Sequence, residues 1–173
     1  MKYILTLEKN NFIDYYYHGT SHECDFLNNT FEFYNSPIDN QLNSIVKGKI
    51  LIKKIFKREV NIFSSPCNKS DNNTVLALNY LKFKFWFYPP PSPPFDIFNG
   101  VSFSRSIDIE IPTHFPNFRK FKKNFLLQNK NKIFVFQIHP ASWDQSSSNQ
   151  FLKIIEFLLN LGVKFINCSE VEL

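Results

Sequence analysis

The stretch Phe12-Ile13-Asp14-Tyr15-Tyr16-Tyr17, running directly into His18-Gly19-Thr20-Ser21-His22, decides how the rest of the chain is read. Its aromatic and apolar residues suit a buried strand. The two histidines fall where the loop after that strand begins. Their H-x-x-x-H spacing lets both imidazoles reach one ion if the segment coils by about one turn. Two neutral imidazoles suit zinc, cobalt, nickel or ferrous iron, and a carboxylate usually completes such a set.

Outward from this stretch, strand and helix signals alternate. Ser36-Pro37 opens a helical run with Leu42, Ile45, Val46, Leu51, Ile52, Ile55 and Phe56 near helical spacing. Val60-Asn61-Ile62-Phe63 reads as a short strand ended by the turn-prone Ser64-Ser65-Pro66-Cys67-Asn68. Asp71 or Asn72 can cap a second helix through Tyr80, and 81–87 alternates apolar residues with lysine as a further strand. Pro89 to Pro94 reads as an extended, polyproline-like loop, and 112–118 as an irregular segment. The run Ile133-Phe134-Val135-Phe136-Gln137-Ile138 is a strong strand signal ending at His139-Pro140. Asn149 or a nearby serine can cap a helix over 150–161, Gly162 stops it, and 163–166 reads as a last strand. Such alternation predicts a parallel α/β arrangement, with strands near 13–17, 60–63, 82–87, 133–138 and 163–166. In that arrangement the loops at 18–22, 64–68 and 139–144 follow strands, the places where α/β folds build their sites. His114 alone among the histidines lies in the irregular region.

Composition sets the outer limits. With 173 residues, 43% hydrophobic and 21 of them Phe, the chain can fill one substantial core. The net charge of +5 is spread over several lysine-bearing stretches, which suits a solvated surface and argues against nucleic acid as a partner. No apolar stretch is long enough to span a membrane. The three cysteines, Cys24, Cys67 and Cys168, are odd in number and lack C-x-x-C spacing. That predicts no disulfide framework and a reducing, cytoplasmic setting.

Four segments in order resemble the polysaccharide (NodB-type) deacetylases, and specifically the branch whose second motif reads H-G-x-x-H-x-x-x-E-F. They are His18-Gly19-Thr20-Ser21-His22-Glu23 with Asp25-Phe26; Phe63-Ser64-Ser65-Pro66-Cys67-Asn68, similar to F-x-P-P-x-N; His139-Pro140 with Trp143-Asp144, similar to H-P-x-x-W; and the closing helix with Gly162-Val163-Lys164-Phe165-Ile166. The resemblance implies an incomplete, distorted (β/α) barrel of the polysaccharide deacetylase or glycoside hydrolase type, spanning 1–173 as one domain. Nothing before His18 resembles the family's first motif, a strand ending in Asp-Asp, so the first strand or strands are expected to be missing.

The same resemblance implies roles. His18 and His22 match the metal-binding pair, for zinc or another divalent ion. His139 matches the general acid on the leaving amine. Pro66, Asn68 and Trp143 match positions lining the substrate groove. The implied reaction is metal-assisted hydrolysis of the C–N amide bond of an N-acetylated, carbohydrate-like substrate. The alternative is a binding module of the same fold without turnover. Asp25 is the carboxylate best placed by sequence to replace the missing base, although a short Asp at such a loop junction more commonly caps the segment that follows. An opened barrel would also expose apolar edges and favour self-association.

Overall fold

A strand exists only where a second backbone answers its N–H and C=O groups, and that condition separates the apolar runs of this sequence. A computed structural model of the chain describes residue 6 and residues 13–88, 97–128 and 133–171. The backbone forms two compact units, Met1–Ser104 with Ile166–Leu173, and Arg105–Phe165. The proline-rich run Pro89 to Pro94 lies outside the described residues.

The first unit is built on a parallel sheet in the order β3-β4-β5, where β3 is Ile62–Ser64, β4 is Phe85–Tyr88 and β5 is Val101–Ser104. The β5 strand lies in a stretch that the sequence reading left without an element. At the other edge, the segment leading to His18 joins the sheet at the bridge Tyr17↔Phe63. Tyr17 N–H donates to Ile62 O at 2.8 Å, and Ser64 N–H donates to Tyr17 O at 3.1 Å. The strand expected over 13–17 is therefore a single paired residue, although Ile13, Tyr15 and Tyr17 still turn inward while Asp14 and Tyr16 face out. A small antiparallel pair, β1 (Cys24–Asp25) with β2 (Thr30–Phe31), follows the histidine loop.

Two helices pack in this unit. The first, α1 (Ile38–Phe56), begins after Pro37, carries Asp39 in its first turn and Lys53 and Lys54 in its last, and ends at Lys57 in the left-handed region. Each of these features favours a helix running in this direction. In the interior of α1, Gly48 faces the Tyr17 ring so closely that a β-carbon there would overlap it. The second helix, α2 (Asn72–Tyr80), takes Asp71 as its cap in a reciprocal capping box with Thr74. The core joins Tyr17, Phe33, Ile45, Val60, Phe63, Val75, Leu78, Phe83, Trp86 and Phe98. One cross-link was not expected: Cys24 and Cys67 pair as a disulfide, their Cα atoms 6.2 Å apart. An odd cysteine count and the lack of a C-x-x-C motif do not forbid one bridge between residues that only the fold brings together.

In the second unit, α3 (Phe118–Leu126) and α4 (Gln145–Asn160) enclose Ile107, Ile109, Phe121, Phe125, Ile154 and Leu158. Sequence reading passed over α3 because its lysines suggested plain surface. Its signals are Asn117, whose side chain accepts from Lys120 N–H at 3.0 Å, and Phe118, Phe121 and Phe125 on one face. The α4 helix starts earlier than expected, capped by Asp144 rather than Asn149 or a serine. Neither 133–138 nor 163–166 forms a strand. Val135 O accepts from Ser106 N–H at 3.0 Å, but Val135 N–H goes to the Ser106 hydroxyl at 3.2 Å, so a side chain stands where a ladder needs a carbonyl. Phe134 and Phe136 pack on the unit's core without any sheet. After Gly162, Val163 N–H turns back to Leu158 O at 3.1 Å, which closes the helix rather than opening a strand. Among the described residues the sheet does not close into a barrel.

A buried polar knot fastens α1 to α2. The Thr74 hydroxyl lies 2.8 Å from both Phe33 O and Gln41 Oε1 and accepts from Asp71 N–H at 3.1 Å, while Gln41 Nε2 donates to Ser36 O and Asp71 Oδ1, each at 3.1 Å. Thr74 and Gln41 are both fully buried. Thr74→Val keeps the shape and strands these partners, so urea unfolding is expected to show a loss of about 2 kcal/mol. A change below about 0.5 kcal/mol would show that the knot is not a fastening.

Candidate functional site

The loop carrying His18 and His22 is held from beneath by one carboxylate. Glu32, 8% exposed, accepts from three successive backbone N–H groups: Thr20 at 2.7 Å, Ser21 at 3.2 Å and His22 at 2.9 Å. The Ser44 hydroxyl on α1 also donates to it, and the Tyr17 hydroxyl lies 3.5 Å away. Tyr17 further meets Thr20 Oγ1 and Ser44 Oγ, each at 2.8 Å. Burial first, together with the Glu32 charge, pushes the Tyr17 phenol up to about 12, against the pull of its hydroxyl partners. Gly19 sits at φ +87°, and a β-carbon there would stand 2.5 Å from both Glu32 Oε2 and Pro66 Cγ. Both conditions call for glycine.

The histidine rings meet edge to face with centroids 5.3 Å apart. His18 Nδ1 is 2.9 Å from Ser64 O, and because a carbonyl only accepts, this nitrogen carries a proton. Metal-ligating histidines are commonly oriented in this way, so His18 suits a ligand. The residues close to His22, however, are sulfurs: His22, Cys24 and Cys67 offer ligand atoms all within 4.8 Å of one another. Among the described residues, no Asp or Glu joins His18 or His22 in such a cluster. Asp25 in particular is taken up by its turn, accepting from Leu27 N–H and Asn28 N–H, each at 3.0 Å, and from Asn28 Nδ2 at 2.7 Å. Those bonds, the Asn28 backbone first, lower its pKa. Pro66 is buried against the Gly19 turn, and Asn68 adopts φ 55° in the same segment.

The second unit gathers its chemistry around Glu110. His139 Nδ1 lies 2.6 Å from Glu110 Oε2, and His139 N–H donates to Oε1 at 2.7 Å. Trp143 Nε1 donates to Oε1 at 3.0 Å and His114 N–H to Oε2 at 2.9 Å. The Glu110 side chain is 4% exposed and that of His139 37%. Burial raises the Glu110 pKa, but the bonds from His139, His114 and Trp143 outweigh it and hold the group below its ordinary value of 4.5. The backbone reaches this arrangement by doubling back: Ile111 N–H donates to Phe115 O at 2.9 Å, and Asn117 N–H to Ile109 O at 3.1 Å. The His114 ring lies tilted against the His139 ring, their centroids 4.8 Å apart. Arg105, Asp108, Glu110, Thr113, Gln137 and His139 line a polar cleft.

His18, His22, Pro66 and Asn68 thus belong to one unit, and His139 and Trp143 to the other. Trp143, expected in the groove wall, spends its indole N–H on Glu110 and packs on Phe151 at 4.9 Å. Sequence reading missed both organising carboxylates. Glu32-Phe33 is a literal Glu-Phe pair after the histidines, passed over in favour of Asp25-Phe26. Glu110 sits in the alternating run Ile107-Asp108-Ile109-Glu110-Ile111, where nothing in the pattern sets it apart from Asp108.

No family model matches the sequence, and no curated protein matches it. Solved structures do. A crystal structure of a BA3943 mutant, described as a CE4 family pseudoenzyme with restored enzymatic activity, superposes with a TM-score of 0.65 at 14% identity over 98% of this chain. Another BA3943 mutant structure gives 0.62 at 15% identity, and wild-type BA3943, a CE4 family pseudoenzyme from Bacillus anthracis, gives 0.62 at 14%. The chain spans about half the length of these structures, 50–52%. At this identity the likeness is one of fold: the polysaccharide deacetylase type of α/β architecture. Among the described residues, no helix is long and apolar enough to cross a membrane.

Two substitutions test the organising carboxylates. Glu32→Gln puts an amide N–H against backbone donors, and a loss of about 1.5–3 kcal/mol on unfolding is expected. Because the folded pKa of Glu110 lies below 4.5, its bonds stabilise the fold above that pH and fade as pH falls through the folded value. The stability gap between wild type and Glu110→Gln, followed by urea unfolding, should therefore shrink on acidification. A gap that widens below pH 4.5 would reverse the sign assigned to Glu110.

Proposed function

We propose that this chain is a metal-dependent, deacetylase-type domain acting on the C–N amide bond of an N-acylated, carbohydrate-like ligand. The observation that carries this reading is the Glu110–His139 pair, joined at 2.6 Å in a polar cleft. Glu110 accepts the Nδ1 proton, fixes the ring and leaves Nε2 to pass a proton to a leaving nitrogen. Trp143 and the His114 backbone hold the carboxylate in place, and the polar lining suits hydroxyl and amide groups. His18 and His22 would hold a divalent ion, zinc by preference. Such an ion polarises an amide carbonyl and lowers the pKa of water.

A second reading, a sugar-binding module without turnover, is favoured by one observation: among the described residues no carboxylate stands with His18 and His22 to serve as base. The solved structures of the same fold are named as pseudoenzymes, which points the same way. Acetate release from N-acetylated sugar oligomers, measured beside calorimetric binding of the same oligomers, separates the two. Turnover is expected to be slow, and His139→Ala should lower it about a hundredfold or more with affinity little changed. Binding without acetate release selects the module, and the absence of both overturns the two readings together.

A further inference from the structure

The sulfurs beside His22 have no part in the proposed hydrolysis. Cys24 Sγ lies 3.7 Å from His22 Nδ1. In a tetrahedral zinc site, bonds of about 2.3 Å to sulfur and about 2.0–2.1 Å to nitrogen put such atoms roughly 3.5 Å apart. This pair thus already stands at the separation of two ligands of one ion. Cys67 Sγ completes the cluster. Cys24 and Cys67, 43 residues apart in sequence, come from different elements, one from β1 and the other from the turn after β3. All three residues are at least partly accessible. Both His22 and Cys67 hold left-handed backbone, φ 53° and 54°.

We propose that reduction of the Cys24–Cys67 disulfide creates a Cys2His site for a zinc-class divalent ion, ligated by Cys24, Cys67 and His22, so that the bond and the ion exclude one another. A dithiol reductant supplies two electrons and two protons. The S–S bond breaks, each cysteine becomes a thiol, and the reductant becomes a disulfide. Binding the ion then releases both thiol protons, because thiolates are the ligands. A disulfide oxidant reverses the sequence: it takes up two electrons, the S–S bond re-forms, and the ion leaves because a bridged sulfur carries no charge to hold it. Three protein ligands leave a fourth position open, as in exchangeable rather than closed sites. Cys168 stands apart: burial, then the Asp14 charge, pushes its thiol up to about 11, which keeps it protonated near neutrality. The inference shares His22 with the proposed metal pair, but it is read from sulfur ligation and needs no turnover.

The test uses the full chain, reduced anaerobically with a phosphine, freed of reductant and titrated with cobalt(II). One equivalent should bind with thiolate-to-cobalt charge-transfer absorption in the near ultraviolet, and the oxidised protein should lack it. The band should vanish in the Cys24→Ser/Cys67→Ser variant and persist in Cys168→Ser. His22→Ala should weaken cobalt binding tenfold or more with the sulfur band retained, whereas His18→Ala should leave the band in place. Alkylating the thiols of reduced wild type repeats the cysteine test without any substitution, should the double variant not fold. A reduced wild type without the band, or a band that survives loss of both cysteines, overturns the proposal. Neither result touches the acetate assay, so the two readings fail separately.

Discussion

A carboxylate taking three consecutive backbone N–H groups is the constraint on which the first unit turns. The donors at Thr20, Ser21 and His22 all meet a nearly buried charge, and a hydrogen bond to a charged group contributes about 1.5–3 kcal/mol. One glutamate meets all three. By also taking the Ser44 hydroxyl, it ties the loop after Tyr17 to α1 and, through its own place beside β2, to the hairpin. The direction of the His18 ring follows, because the loop is pinned beside Ser64, whose carbonyl takes the Nδ1 proton.

The second unit solves a similar problem with Glu110. There too a nearly buried glutamate collects backbone and side-chain donors around a histidine. The two differ in what remains available. Glu32 is spent on the backbone and serves architecture. Glu110 is bonded to the imidazole itself, and so shapes the tautomer of a ring that remains partly open to solvent. Glu110 therefore serves the imidazole, and Glu32 the shape of the loop.

Much of the fold was legible from local signals. The helix after Ser36-Pro37, the Asp71 cap and the stop at Gly162 follow from residues within a turn of each feature. The errors came where pairing decides. Apolar runs at 133–138 and 163–166 have strand composition, but a ladder depends on a distant backbone, and Ser106 offers a hydroxyl in place of a carbonyl. The same limit hid the Cys24–Cys67 contact, which exists only because β1 and the turn after β3 meet in space. Of the site, the histidines were visible by spacing, whereas Glu32 and Glu110 act through backbone donors that no residue pattern advertises.

Gly48 shows how such contacts shape what the sequence is free to become. A glycine inside a helix weakens it by about 1 kcal/mol relative to alanine. Here the missing side chain is the room in which the Tyr17 ring lies, and Tyr17 in turn meets Ser44 and Thr20. Any larger residue would wedge α1 away from the histidine loop and part the hydroxyl from Glu32. Helix propensity and the seating of the Tyr17 ring are opposed at this one position, so the shape of the histidine loop is set partly by a side chain that is missing from a helix.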